Sequence, residues 1–243
     1  MKIFIITVDE PLYTAATFRI LLSSCKGIVG VSFIKGMFTK RRLLTTLRIR
    51  GLWKSLRLAC IFLSTLLTGG RVHKLFKRHE PPIPVYPVDD INSKRFLDKL
   101  KELDIDLIIS FNCPAVLKKE ILNLPKRGCL NVHFGMLPEY RGLFPIFYAI
   151  LNGEKEFGIT VHYMNEKLDD GSILLQEAVK INENDDIFSL YPIAFKKAGE
   201  LLVKAIKLIP EGSVKTTFND SSKMTYYSYP ESKLISKYRR LFK

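Results

Sequence analysis

Cys129-Leu-Asn-Val-His133, running into Phe134-Gly-Met-Leu-Pro-Glu-Tyr-Arg-Gly142, is the stretch that decides how the chain is read. Cys129 to Val132 reads as a buried strand, and Asn131 and His133 close it. The loop that follows carries two glycines and a proline, irregular backbone of the kind that shapes a site. In open α/β sheets the binding crevice lies beyond the carboxyl ends of the strands, so a polar run just after an apolar one is where function is sought.

Upstream, the same alternation repeats. Met1-Lys-Ile-Phe-Ile-Ile-Thr-Val8 lacks the basic region, apolar core and cleavage site of a signal peptide and reads as a buried first strand. A helix follows from Leu12 to Ser24, then a β-rich run from Gly27 to Ile34. Pro81, Pro82, Pro84 and Pro87 mark an extended re-entry around Ile83 to Tyr86. Ile91 to Leu103 is an amphipathic helix opening near Asn92 or Ser93, Asp106 to Phe111 a buried strand, and Val116 to Leu122 a short helix. Strand and helix alternating over the first 135 residues predict an α/β fold with an open, largely parallel sheet flanked by helices. Downstream come strands at Gly158 to Met164 and Ile173 to Ile181, with Leu168-Asp-Asp-Gly171 between them, and a helix from about Asp186 to Leu208.

Length and composition bound the rest. The 243 residues, 26% of them charged, suit one α/β domain with decoration. Cys25, Cys60, Cys113 and Cys129 lie far apart with no CxxC pair, which suggests neither a zinc ribbon nor a disulfide framework and fits a reducing, cytoplasmic setting. Lysine and arginine number 38 against 24 acidic residues. Twelve of the basic residues fall between Lys35 and Arg78, a stretch with no acidic residue, so nearly all of the net charge of +14 is local.

The motifs taken together resemble the formyltransferases that use 10-formyltetrahydrofolate, a family that includes glycinamide-ribonucleotide, methionyl-tRNA and sugar-nucleotide enzymes. The resemblance rests on Leu130-Asn-Val-His133, Leu137-Pro-Glu-Tyr-Arg-Gly142, Gly158-Ile-Thr-Val-His162 and Leu168-Asp-Asp-Gly171, correctly ordered, and extends from roughly Asp106 to Leu202. It implies a Rossmann-like formyltransferase fold over residues 1–209, carrying a basic amphipathic helical insertion at about 35–80, with 210–243 as a tail packed on the domain. It also implies 10-formyltetrahydrofolate as co-substrate and Asn131, His133 and Asp169 as catalytic residues. Formyl transfer to an amine develops charge on oxygen and releases a proton from the attacking nitrogen. Asn131 is expected to donate to the formyl oxygen, His133 to donate and take part in proton transfer, and Asp169 to orient or charge His133 and relay the proton through water. By the same resemblance, folate is expected at Phe111, Asn112, Cys113 and Pro114, chiefly through backbone, and at Leu137, Asp170 and Gly171. Tyr140 and Arg141 are the expected acceptor contacts, with loop pinning as the rival role for Arg141. His162 reads as structural, and Tyr226, Tyr227, Tyr229 and Pro230 as an aromatic lid or, in preference, as packing.

Departures from the family narrow the acceptor. The glycine-rich phosphate loop after the first strand is replaced by Val8-Asp-Glu-Pro-Leu-Tyr13, which disfavours a glycinamide-ribonucleotide role. After Leu208 about 35 residues remain, too few for the C-terminal barrel of methionyl-tRNA formyltransferases. Gly135 stands where serine is common, and Phe134 where proline or glycine is usual. In the insertion, Ile49, Leu52, Trp53, Leu56, Cys60, Leu63 and Leu67 recur at helical steps, and Leu58 to Gly70 holds no charge, too short to span a bilayer. An anionic membrane surface is the first expected partner of residues 35–78, a partner protein or second subunit the next, and nucleic acid the last. The expected function is formyl transfer to an aminosugar linked to a nucleotide or lipid, by a cytoplasmic protein peripheral to the membrane. The alternatives are a methionyl-tRNA formyltransferase lacking the C-terminal domain and an inactive membrane- or RNA-binding module.

Overall fold

The computed structural model describes residues 1–10, 12–35, 40–51, 64, 71–209 and 214–242. Its centre is a six-stranded sheet in the order β2-β1-β3-β4-β6-β7, built from β1 (Ile3–Thr7), β2 (Ile28–Phe33), β3 (Leu107–Phe111), β4 (Cys129–His133), β6 (Glu156–Tyr163) and β7 (Ile173–Lys180). β2, β1, β3 and β4 are parallel, whereas β6 pairs antiparallel with both β4 and β7, so the sheet is mixed at one end. The central strands β1 and β3 are buried at every position, as strands covered on both faces must be. A separate two-stranded pair joins β5 (Arg141–Gly142) to β8 (Tyr226–Tyr227).

Eight described helices complete the chain: α1 (Thr14–Ser24), α2 (Lys40–Arg50), α3 (Arg71–Lys77), α4 (Lys94–Glu102), α5 (Lys119–Leu122), α6 (Pro145–Leu151), α7 (Ile187–Leu208) and α8 (Ser232–Arg240). Two apolar cores sandwich the sheet. The larger takes Ile3, Ile5, Phe18, Phe111, Phe147 and the inner face of α7, and the smaller takes Phe4, Ile6, Phe96, Leu100 and Ile108. Sequence signals of helix starts are realised: Ser93 caps α4 by accepting from Phe96 N, and Asp186 caps α7 through Phe188 N and Ser189 N in a capping box. The proline-rich re-entry pairs Val85 alongside Val31 at the sheet edge. Of the short helix expected over 116–122 only α5 forms. α6 and α8 have no counterpart in the sequence reading: α6 is apolar nearly throughout and is buried all round, so it shows no amphipathic period.

The order of the strands fixes the site. From β1 the chain moves outward to β2 and then returns to the other side of β1 as β3, so β1 and β3 form the topological switch point. Thr7 Oγ1 donates to the Phe111 carbonyl at 2.8 Å and ties their carboxyl ends together. The apolar stripe expected at Leu52 to Leu67 lies outside the described residues; the described α2 before it is anchored by Arg50 over the Phe188 ring and Arg41 over the Tyr229 ring.

The tail packs on the body through α8. Tyr238 stacks on Phe147 at 4.7 Å, and its hydroxyl accepts from Ile187 N at the first turn of α7 at 2.8 Å. Tyr238→Phe leaves that buried N–H unpaired and is expected to cost about 1–3 kcal/mol in urea unfolding; an unchanged midpoint would show that the tail contributes nothing there.

Candidate functional site

Asn131 and His133 occupy alternate positions of β4 and so share one face. Across the antiparallel ladder Asn131 is paired with His162 and His133 with Thr160, which puts His162 on that same face. Asp169 arrives from the loop between β6 and β7. Its Oδ2 stands 3.6 Å from His133 Nδ1 and its Oδ1 3.7 Å from His162 Nε2. Gly142 N donates to Oδ2 at 2.9 Å, which satisfies part of this buried carboxylate. The three residues of the Asn-x-His and Asp motifs therefore meet in one cluster, with His162 as a fourth member.

Hydrogen-bond partners define the ring protons. His133 Nε2 lies 2.7 Å from the Tyr140 carbonyl, which can only accept, so Nε2 carries a proton and Nδ1 faces Asp169. His162 Nδ1 donates to the Tyr163 carbonyl at 2.8 Å, and Nε2 accepts from Asn131 Nδ2 at 3.1 Å. That bond fixes the Asn131 amide with nitrogen toward His162 and leaves its second amide hydrogen for another acceptor. Burial lowers His162 from 6.5 to about 4, and the opposing pull of the Asp169 carboxylate only partly offsets it, while nearby His133 and Arg141 depress it further. His162 is accordingly a neutral acceptor near pH 7. Thr160 and His162 are polar at a two-residue step in β6, the mark of one polar face, and His162, read from the sequence as structural, holds Asn131 from across the ladder.

The loops are held by local backbone requirements. Asp169 adopts φ +49° and Tyr140 φ +57°, left-handed conformations uncommon outside glycine. Gly171 is obligatory, because a Cβ there would sit 1.8 Å from the Tyr163 carbonyl oxygen. Gly135 has a related cause. A Cβ at 135 would lie 2.7 Å from both His133 Nε2 and the Tyr140 oxygen, so the glycine and the pose of the histidine ring belong together.

The remaining expected site residues fall around this cluster. Arg141 is buried; its Nη1 pairs with Asp170 Oδ1 at 2.6 Å and its Nη2 donates to Asn219 Oδ1 at 2.9 Å, the arrangement of a loop pin. Hydrogen bonds from Ser221, Arg141 and Asn165 hold the Asp170 carboxyl down at about 2. Tyr140 points its hydroxyl to Glu154 Oε1 at 2.6 Å and stacks on Tyr227, which stacks in turn on Tyr148. Tyr227 is thus packing, as is Tyr229 against Phe144, while Tyr226 is exposed. Phe111 buries its ring among Phe18, Phe134 and Phe195 and is buried throughout, its carbonyl taken by Thr7 Oγ1. Asn112 follows with φ +52°, Cys113 is half-buried and Pro114 exposed. Leu137 is buried, with its carbonyl held by Gln176 Nε2 at 2.9 Å. At the end of β1, the Glu10 carboxylate accepts from Leu12 N, Tyr13 N and Thr14 N, occupying the amides that open α1.

His162 gives a pH test with a defined sign. Between about pH 6.5 and 4 the unfolded chain binds a proton at this ring that the folded chain does not. The stability from its burial is therefore complete above about 6.5 and falls toward pH 4, by up to about 1.4 kcal/mol per unit. Urea unfolding at pH 7 and pH 5 should show a smaller drop for His162→Gln than for the native chain. Equal drops would rule out a buried neutral His162.

A family model described as Formyl transferase matches residues 70–206. Methionyl-tRNA formyltransferase of Staphylococcus aureus (strain JH1) is 36% identical over 163 residues, 67% of this chain and 52% of that protein. The corresponding protein of Clostridioides difficile (strain 630) is 38% identical over 147 residues, 60% of this chain and 48% of that protein. The chain spans about half the length of the curated relatives it matches. A 4-N formyltransferase from Francisella tularensis superposes with a TM-score of 0.62 at 20% identity, covering 99% of this chain and 87% of that one. A formyltransferase from Anoxybacillus kamchatkensis, solved in complex with UDP-4,6-dideoxy-4-formamido-L-AltNAc and tetrahydrofolate, gives 0.52 at 23% identity, over 64% of this chain and 79% of that one. At such identities these two likenesses are of fold. The family match, in contrast, takes in more than half of the chain and the whole Asn131, His133 and Asp169 cluster, and the chain belongs to the formyl transferase family.

Proposed function

We propose that the chain transfers a formyl group from 10-formyltetrahydrofolate to a primary amine. The observation that carries this reading is the meeting of Asn131, His133 and Asp169 at the carboxyl end of β4. An amine attacking the formyl carbon places negative charge on the formyl oxygen and must lose a proton. The Asn131 hydrogen not used by His162 serves as donor to that oxygen. His133, its Nε2 proton held by the Tyr140 carbonyl, has Nδ1 to take the proton released by the amine, and Asp169 stabilises the charged ring that results. As co-substrate, the folate supplies the activated formyl group. The backbone of Phe111 to Pro114 and the Asp169 to Gly171 loop would hold it. Peptide groups around a left-handed Asn112 suit a pterin edge of mixed donors and acceptors.

The acceptor follows less directly. The 36% identity to methionyl-tRNA formyltransferases supports the α-amine of an aminoacyl-tRNA over the aminosugar expected from the sequence, and the basic residues of 35–78 suit a polyanion. An aminosugar on a lipid carrier is the second reading, favoured by the exposure of Leu43, Leu44 and Leu47 on α2 beside Arg48, a combination that suits a lipid surface. No helix among the described residues is long and apolar enough to cross a membrane. A glycinamide-ribonucleotide acceptor finds no support, because Glu10 takes the helix amides that a phosphate would use.

The test supplies labelled 10-formyltetrahydrofolate with methionyl-tRNA in one assay and a nucleotide-linked aminosugar in another. Formylation of methionyl-tRNA is expected, with His133→Ala lowering turnover by about 10²-fold or more and folate binding little changed. Formylation of the aminosugar alone would transfer the assignment to the second reading; native turnover by His133→Ala would refute a catalytic role for this histidine. Binding by the insertion separates the readings independently of turnover. Transfer RNA affinity should fall steeply with salt, whereas co-sedimentation with anionic vesicles should be lost when Leu43, Leu44 and Leu47 become serine.

A further inference from the structure

The catalytic aspartate does not hold its own loop. Asp169 sits in a left-handed conformation that costs free energy unless neighbours enforce it. The neighbours come from residues 217–227, beyond the 70–206 that match the family model. Thr217 exchanges backbone hydrogen bonds with Ile173, N to O at 2.8 and 2.9 Å, laying this segment beside the start of β7. Two residues on, Asn219 is only 3% exposed. Its Nδ2 donates to the Asp169 carbonyl at 2.9 Å and the Gly171 carbonyl at 3.0 Å, and its Oδ1 accepts from Arg141 Nη2 at 2.9 Å. Farther along, Thr225 Oγ1 accepts from Tyr140 N at 2.8 Å and the Thr225 carbonyl from Arg141 N at 2.9 Å.

Asn219 thus joins two loops that must agree in position. One presents the Asp169 carboxylate to His133 Nδ1; the other presents the Tyr140 carbonyl to His133 Nε2 and the Gly142 N–H to Asp169. Both amide hydrogens and the amide oxygen of Asn219 are used on these loops. No other uncharged side chain of this size supplies two hydrogens and an acceptor from one planar group. We infer that Asn219 is a positioning residue for formyl transfer, setting the Asp169 carboxylate against His133 through the Asp169 and Gly171 carbonyls. The inference rests on the catalytic reading of Asp169.

The experiment separates the two. Selectively labelled protein gives the ring 15N resonances of His133, which respond to the carboxylate beside it and require no acceptor. Asp169→Asn should move them. Asn219→Asp keeps the size of the side chain and its bond to Arg141 but presents no hydrogen to the two carbonyls; it and Asn219→Ala should move the His133 resonances in the same direction. With an accepted amine, either variant should lower kcat by about 10-fold or more with little change in KM, as a misplaced catalytic group does. The double variant Asn219→Ala/Asp169→Asn should lose no more than Asp169→Asn alone, since the first residue acts through the second. Folded Asn219→Asp with native His133 resonances, where Asp169→Asn does shift them, overturns the inference and leaves the catalytic reading standing. If Asp169→Asn leaves the resonances unmoved, the catalytic reading falls, and the role of Asn219 with it.

Discussion

A carboxylate buried between two imidazoles is the constraint on which this structure turns. Asp169 has little contact with water, so its oxygens need partners: the Gly142 N–H donates to Oδ2, His133 Nδ1 stands 3.6 Å from the same oxygen, and the neutral His162 ring lies against Oδ1 without donating to it. That demand explains the peculiar backbone around it. The loop needs the left-handed turn at Asp169 and the missing Cβ at Gly171, and the facing loop needs a glycine at 142, where φ is +91° and a Cβ would meet the Tyr227 carbonyl. Asp170 turns the other way, into the Arg141 ion pair, so adjacent acids perform different tasks because their loop sends them to opposite sides.

Much of this was legible in the sequence for reasons of local physics. Central strands such as Ile3–Thr7 and Leu107–Phe111 are continuous apolar runs, and Asp186 followed by Ser189 is a helix start that carries its own signature. The Asn-x-His and Leu-Asp-Asp-Gly motifs named their residues, although spacing alone could not say that they meet. α6 escaped because a helix buried on every side has no polar stripe to reveal its period. The pairing of His162 with Asn131 escaped because it is cross-strand: only the antiparallel register of β4 and β6 puts the two opposite each other. Asn219 had no local signal at all, since every group it bonds lies about fifty or more residues earlier. Arg141 illustrates the converse: of the two roles its sequence position left open, its burial and its pair with Asp170 match the pinning of a loop.

The segments that the family model leaves out are not appendages. Thr217 to Tyr227 adds both a ladder contact to β7 and a strand to β5, and α8 returns to brace the first turn of α7. The described start of the basic insertion reaches the same region, where Arg41 covers Tyr229 and Arg50 covers Phe188. Part of the positive charge that looked like a docking signal is therefore spent on aromatic faces within the molecule.

Glu10 carries a different lesson. Its carboxylate lies 4% exposed on the amides of Leu12, Tyr13 and Thr14, where the dipole of α1 favours negative charge. Tethered two to four residues from its own binding groups, it acts as a resident ligand whose local concentration no dissolved anion matches. Any phosphate drawn to that helix must first displace a competitor that cannot diffuse away. Recognition at this end of the sheet is therefore biased by exclusion, through a single side chain rather than through the architecture of the strands.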